Sequence, residues 1–464
     1  MIIQGIPCDN SKSNYKHMKS ILITNANIVN EGRISLGDIL VKDGRIAKIG
    51  TDLSSETAEI HINGRGKHLF PGIIDDQVHF REPGLTHKGE IYTEAKAGVA
   101  GGTTTYMEMP NTVPQAVTIP LLEEKYARAK EVSLANYSFF FGGTNDNLDE
   151  ILKLDLHNVC GLKVFQGSST GNMVVDNIES LEGIFSNYKG LLALHSENDH
   201  IIKANLEEFK SIYGEDIPVK FHPKIRSEEA CYNASSRAVA MAKKHGTRLH
   251  ILHISTAKEL ELFDNSIPLE QKRITAEACI HHMWFSEEDY ATKGNLIKWN
   301  PAVKTANDRD QIFQAMLDDR IDVIATDHAP HTLEEKSQSY TKAPSGGPLN
   351  QHSLVAMLDF YHQGKISLEK IAQKMSHNVA TLFQIEERGF IREGYFADLV
   401  LVDLNSPWKV SKENILSKCG WSPFEGHTFR SKISQTIVSG HLAYDEGKFN
   451  EDKKGERITF LRNN

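Results

Sequence analysis

Long apolar runs are missing from this chain of 464 residues. No stretch approaches the roughly 20 residues that a membrane-spanning helix needs. The opening MIIQGIPCDN has no basic segment leading into an apolar one, so neither a membrane anchor nor a secretory signal is expected. Cysteine pairs are missing as well. Cys8, Cys160, Cys231, Cys279 and Cys419 are odd in number and dispersed, with no CxxC among them. That excludes a disulfide framework and points to reduced thiols in the cytoplasm. An excess of positive charge is also lacking: 52 Lys and Arg face 61 Asp and Glu, for a net charge of −9. With no basic stretch to neutralise phosphates, a nucleic-acid scaffold is excluded. An anionic small substrate stays compatible, because the field inside a pocket can differ from the global sign. Neither GxGxxG nor GxxxxGK[ST] occurs, so no loop supports nucleotide binding. There is no repeat of fixed period and no low-complexity tract.

What is present is an α/β pattern framed by two β segments. Residues 1–18 are polar and patternless and are expected to be a disordered extension, with Met18 an alternative start. Residues 19–69 alternate apolar and polar positions between Asn, Gly and Asp-Gly turn signals, and residues 388–464 do the same. The two ends are expected to pair into one small β-sandwich. Residues 70–387 alternate strand-like and helix-like segments. Eight apolar runs stand out: HLFPGIID, TTTYMEM, YSFFFGG, GLKVF, GLLALH, RLHILHIS, RITAEA and DVIATD. Eight parallel β/α units predict a (β/α)8 TIM-type barrel, with chemistry at the C-terminal ends of its strands. An open doubly wound sheet is the alternative.

The placement of metal-type donors sharpens the barrel reading. His79 follows the first run, Lys163 lies in the fourth, His195 ends the fifth, His253 ends the sixth and Asp327 ends the eighth. A single histidine at a strand end is usually a packing or surface residue. Five candidates on five strands, all converging on one barrel mouth, are harder to attribute to chance. Imidazole and carboxylate donors suit zinc, which acidifies bound water and polarises a carbonyl. Lys163 on its own reads as a surface or anion-binding lysine; as a neutral amine it could add carbon dioxide and become a bridging carbamate. Strand alternation puts Gln77 on the same face as His79, and puts His250 on the face opposite His253. It also separates His281 from His282, and Cys279 reads as packing. His328 and His352 carry no assignment.

IIDDQVHFREPG is followed by GGTTTYMEMPNT, GLKVFQGSSTGNM, LHSEND, LHILHIST, TAEACIHHMWFS, ATDHAPH, APSGGP and WSPFEG. From about residue 20 to 450, in this order, the chain resembles the dihydroorotases, metal-dependent cyclic amide hydrolases. The HFREPG and MPNT pair is the most specific part. The resemblance implies that His79 and Asp327 hold a buried α zinc, that carbamylated Lys163 bridges, and that His195 and His253 hold a β zinc. It implies Asp327 as general base and acid, and Arg81, Asn111 and His331 as the grip on a substrate carboxylate. Asn300 would orient the pyrimidine ring, and the loop around Ala343 would close over it. Read alone, Arg81 is equally a structural ion pair and Asn111 a turn residue.

One position departs from the pattern. Gln77 stands where the usual His-x-His has its first histidine, and three outcomes are open: weak coordination by its amide, compensation by Asp75 or Asp76, or an α site left partly or wholly empty. The implied activity is reversible hydrolysis of (S)-dihydroorotate to N-carbamoyl-L-aspartate in pyrimidine biosynthesis. The alternatives are a non-catalytic subunit supporting a partner enzyme, and a hydantoinase-like or allantoinase-like amidase. A homo-oligomer acting on a small molecule, without nucleic acid or membrane, is expected.

Overall fold

The computed structural model describes residues 19–167 and 173–462. The extension expected at residues 1–18 and the SSTGN part of the fourth motif lie outside the described residues.

The chain begins as a meander: β1 (Ile21–Asn30), β2 (Arg33–Lys42) and β3 (Arg45–Gly50) pair antiparallel, and β4 (Ile60–Asn63) runs parallel to β1. The two-residue turns Glu31-Gly32 and Asp43-Gly44 have positive φ at both positions, the hairpin geometry whose twist matches the strands. β5 (His68–Pro71) hands the chain to the barrel.

Eight parallel positions then form the barrel. They are β6 (Ile73–Val78), β7 (Thr103–Glu108), β8 (Asn136–Phe139) continued as β9 (Phe141–Gly142), β10 (Leu162–Gln166), β11 (Leu191–Ser196), β12 (Arg248–Ile251), β13 (Ile274–Cys279) and β14 (Val323–Ala325). β8 and β9 are one strand interrupted at Phe140. A parallel bridge between Val78 and His328, with the His79 amide donating to the His328 carbonyl at 2.7 Å, closes the circle. The first expected run therefore splits: His68–Pro71 serves the terminal sheet and Ile73–Val78 the barrel. Pairing of β6 with β7 shifts register between Asp75 and Val78, a bulge that breaks simple alternation.

The helices between strands carry ordinary stop and start signals. In Glu228–His245 the Ser227 side chain caps the start by accepting from the Ala230 amide. Two glutamates occupy the first turn, two lysines and a histidine the last, and Gly246 ends the helix at φ 66°. Its buried stripe includes Ala230, Ala234, Ala238 and Ala242, four residues apart, so small side chains let the helix lie close to the sheet.

The C-terminal strands are β15 (Leu399–Asp403), β16 (Trp408–Lys409), β17 (Thr428–Phe429), β18 (Lys432–Val438), β19 (His441–Asp445) and β20 (Lys448–Phe449). β16 and β17 pair with each other. The others join the N-terminal meander in one sheet of order β20-β19-β18-β15-β5-β1-β2-β3. Both chain ends thus share a sheet, with β5 antiparallel to β15 at the seam. Alternation at this seam is consequential: Leu69, Leu399 and Leu401 pack within the terminal sheet, while Phe70, Val400 and Val402 enter the barrel core.

Candidate active site

The strand ends of the barrel open into a cavity of about 220 Å3. Gln77, His79, Arg81, Asn111, Lys163, His195, His253, Asn300, Asp327 and His331 all line it, as do Phe165, Trp299 and the loop Pro344–Gly346. Ten expected residues therefore meet in one place. Ala343 is not among the lining residues; its carbonyl receives the Lys298 ammonium, and its three successors face the cavity instead.

The donors are held by specific partners. Asn111 Oδ1 lies 2.8 Å from His79 Nδ1, so the amide oxygen accepts the ring proton and His79 Nε2 is left as a lone pair. That nitrogen points at Asp327 Oδ1, 3.2 Å away. His195 Nδ1 and His253 Nε2 face each other at 3.0 Å, near the roughly 3.3 Å separating two donors on one tetrahedral zinc. His195 Nε2 in turn faces Glu197 Oε2 at 2.9 Å, and Glu197 pairs with Arg226. Burial alone would raise the Glu197 carboxyl, but Arg226 and His195 hold it down at about 2. Burial lowers the pKa of His79, His195 and His253, so these rings stay neutral, the form that binds metal. Burial also brings the Lys163 amine down to about 7, where a large neutral fraction could add carbon dioxide. The donor set fits a divalent metal.

Gln77 behaves unlike a replacement ligand. Its amide nitrogen donates to Asp327 Oδ1 at 3.2 Å, and its oxygen turns to Cys279 Sγ at 3.8 Å. Asp75 is engaged elsewhere: its carboxylate accepts from the Thr326 hydroxyl at 2.7 Å and from the Thr326 amide at 3.2 Å. Asp76 points to His250 and Glu277, neither of which lines the cavity. Neither aspartate lines the cavity.

The substrate side is built from two loops pressed together. Gly84 has φ 82°, and a Cβ there would lie 2.0 Å from the Val113 carbonyl oxygen, so the HFREPG and MPNT segments approach as only glycine allows. Arg81 is buried. Its Nε donates to the Pro330 carbonyl at 3.0 Å, and its Nη2 lies 3.0 Å from His331 Nε2. The Lys88 ammonium, 3.1 Å away, can only donate to His331 Nδ1. His331 Nε2 also lies 3.0 Å from the Ser345 carbonyl, and its Nδ1 lies 3.6 Å from Glu335 Oε2. The guanidinium likewise can only donate, so the His331 ring stands between two cations, Arg81 and Lys88. Among the described residues no carboxylate forms an ion pair with Arg81, so the guanidinium lines the cavity without an anion of its own. Burial lowers the guanidinium to about 10, which still leaves it charged at neutral pH. Asn300 Oδ1 is buried without a hydrogen-bond partner and is free to accept from a ligand N–H.

Three of these residues pay in backbone strain. Arg81, His253 and Asp327 have φ of 69°, 40° and 47°, each costing on the order of 1–3 kcal/mol for a non-glycine residue. The positive φ at His253 also corrects the alternation expected for β12. That strand ends at Ile251, and both His250 and His253 turn inward, His250 meeting Asp76 of β6 across the barrel. His281 and His282 are not on a strand at all, since Ile280–Trp284 is helical. His281 stacks on Trp299, with centroids 4.4 Å apart. Glu197 is the supporting residue that sequence reasoning missed; its position two residues after His195 was the available signal.

A parallel barrel with imidazoles, a lysine and a carboxylate converging at its strand ends defines a hydrolase of the metal-dependent kind in architecture. The chain belongs to the amidohydrolase family, whose model matches residues 68–443. It is 32% identical over 430 residues to a dihydroorotase of Pyrococcus abyssi, covering 92% of this chain and 96% of the relative. It is also 32% identical over 444 residues to an allantoinase of Desulfitobacterium hafniense, covering 94% and 98%. Among solved structures it is similar to the L-hydantoinase (dihydropyrimidinase) from Arthrobacter aurescens, with a TM-score of 0.89 and 27% identity over 95% of this chain and all of that one. Among the described residues no helix is long and apolar enough to cross a membrane.

Proposed function

We propose that this chain is a dihydroorotase, hydrolysing the cyclic amide of (S)-dihydroorotate to N-carbamoyl-L-aspartate and running the same step backwards in pyrimidine synthesis. The observation that carries this reading is the donor-rich corner at Arg81. A buried guanidinium with no carboxylate to pair with among the described residues is complementary to a carboxylate on the substrate. Dihydroorotate has one; allantoin and unsubstituted hydantoin do not. Asn111 keeps its amide nitrogen for the same carboxylate, and Asn300 Oδ1 accepts from a ring N–H.

His79, Asp327, His195 and His253, with Lys163 as its carbamate, would hold zinc. When bound, the metal would acidify water and polarise the ring carbonyl. Asp327 takes a proton from the attacking water and delivers it to the ring nitrogen as the C–N bond breaks. Gln77 fixes the Asp327 carboxylate by donating to Oδ1. With an amide in place of an imidazole, the site at His79 is the weaker of the two.

The equal identity to an allantoinase favours one second reading, an amidase of an uncharged ring. Steady-state rates of the zinc-loaded protein on dihydroorotate, allantoin and hydantoin separate the two. Turnover of dihydroorotate that collapses in Arg81→Ala supports the first. Hydrolysis of allantoin or hydantoin without dihydroorotate turnover overturns it.

A further inference from the structure

Below the cavity, three ionisable side chains meet in the middle of the barrel. Asp76 on β6, His250 on β12 and Glu277 on β13 are fully buried, and their donor atoms lie within 4.8 Å of one another. The bulge in β6 is what brings Asp76 there, while Gln77 and His79 line the cavity above.

The hydrogen bonds around the cluster leave it incomplete. The Thr275 hydroxyl lies 3.3 Å from the Leu249 carbonyl and donates to it. It therefore accepts from His250 Nδ1, 2.9 Å away, which fixes the ring proton on Nδ1. His250 Nε2 then points at two carboxylates, 3.4 Å from Asp76 Oδ2 and 3.8 Å from Glu277 Oε2. Both oxygens of Asp76, Oε2 of Glu277 and Nε2 of His250 are buried without a hydrogen-bond partner. Glu277 Oε1 is separately engaged, accepting from the His253 amide at 2.9 Å and from the Cys279 thiol at 3.2 Å.

Three carboxylate oxygens and an imidazole nitrogen, all without a hydrogen-bond partner, converge in a dry interior that calls for a cation between them. One proton on His250 can serve one or two of the four. The spacing also disfavours a proton: 3.4 and 3.8 Å exceed the about 2.7–2.9 Å of a charge-assisted hydrogen bond. They are close to the roughly 3.3 Å between two donors on a tetrahedral metal. Two carboxylates and an imidazole suit zinc or manganese.

We infer that Asp76, His250 and Glu277 form a separate divalent-metal site inside the barrel, with Asp76 offering both oxygens. The site shares no side chain with the cavity lining and does not depend on which ring the enzyme hydrolyses. An ion here would tie β6, β12 and β13 together and, through Glu277 Oε1, brace the backbone of His253.

The test is metal stoichiometry and location. The full-length protein and Asp76→Asn are each loaded with zinc chloride, or with manganese chloride, and freed of excess metal. The ions are then counted by plasma mass spectrometry, with circular dichroism to verify folding. The expected result is one equivalent fewer in a folded Asp76→Asn protein. As a measurement that does not depend on the folding of the variant, anomalous diffraction above the zinc or manganese edge is collected on the unaltered protein loaded in the same way. The expected result is a peak bounded by Asp76, His250 and Glu277 in at least one of the two metals. No peak there in either metal, or an unchanged count in folded Asp76→Asn, overturns the inference and leaves the cluster holding a proton. Loss of turnover alone would bear on the cavity and not on this site.

Discussion

The cavity and the interior cluster are made of the same kinds of side chain and are finished differently. In the cavity three of the five donors have a positioning partner: Asn111 for His79, Glu197 for His195, Gln77 for Asp327. Three of its residues sit at strained φ, at or beyond the ends of strands. In the cluster the residues sit within β6, β12 and β13 or at their edges, none has positive φ, and the carboxylate oxygens that face one another have no partner. Strain and positioning partners mark the place where geometry must be held for a reaction. Unstrained but unsatisfied groups mark a place where an ion would complete the packing.

Substitutions can break this contrast, and the largest effect is expected at Asp327. Asp327→Ala should lower kcat by about 10^3-fold or more, the scale of a lost general base, in a stopped assay that also records that the protein remains folded. Next comes Glu94, buried against His328 at 2.9 Å, the Ser417 hydroxyl and the Lys418 amide at 2.9 Å. Removing one partner of a buried pair costs about 3–5 kcal/mol, so Glu94→Gln should lower the Tm by several degrees.

Burial alone would raise the Glu94 carboxyl, but His328 and its other partners hold it below the ordinary glutamate value. Its contribution is therefore fully present above the unfolded glutamate pKa, and is lost as pH falls through the lower folded value. The Tm gap between the two proteins should narrow below the ordinary glutamate range, and a gap that persists into strong acid would contradict this.

Arg81→Ala should reduce kcat/KM for dihydroorotate by about 100-fold, equivalent to a lost charge-assisted contact of about 2–3 kcal/mol. A comparable loss on an uncharged ring would mean that Arg81 is structural. Glu197→Gln should weaken metal binding by about 10–100-fold, read by competition with a chelator. The smallest change sharpens the contrast from the other side. Gln77→His should tighten the weaker cavity ion by up to about tenfold, with no change in the number of ions held by the interior cluster.

Much of this was legible before the fold was known. The barrel strands are buried along nearly their whole length, so several of them, such as YSFF and LLALH, read as short apolar runs. The cavity residues were legible because they follow those runs. The handover at Gly72 was not, because the end of β5 and the start of β6 read as one apolar run, LFPGII, and nothing in composition marks a change of sheet. A Cβ at Gly72 would lie 2.1 Å from Thr104 Oγ1, a tightness that a sequence does not display. The inward turn of both His250 and His253 depends on one positive φ, and the seat of Asp76 on one bulge. Such single-residue departures from regular geometry change which face a side chain takes, and alternation cannot anticipate them. Ala343 was one residue from the cavity for a similar reason: loop register has no periodicity to read.

The shared terminal sheet also has a consequence for how the chain is made. Synthesis delivers β1, β2, β3 and β5 first, yet the partner of β5 is β15, more than three hundred residues later. Throughout translation of the barrel, the free edge of β5 and the apolar faces of Phe70 and Leu69 wait for Leu399–Asp403. The nascent chain thus carries an unpaired strand edge for most of its synthesis, the kind of surface that invites wrong partners. A protein shortened to end before Leu399 would keep every residue of the active-site cavity and still expose that edge. Its expected fate is aggregation or degradation, with the chemistry intact in sequence and lost in the cell.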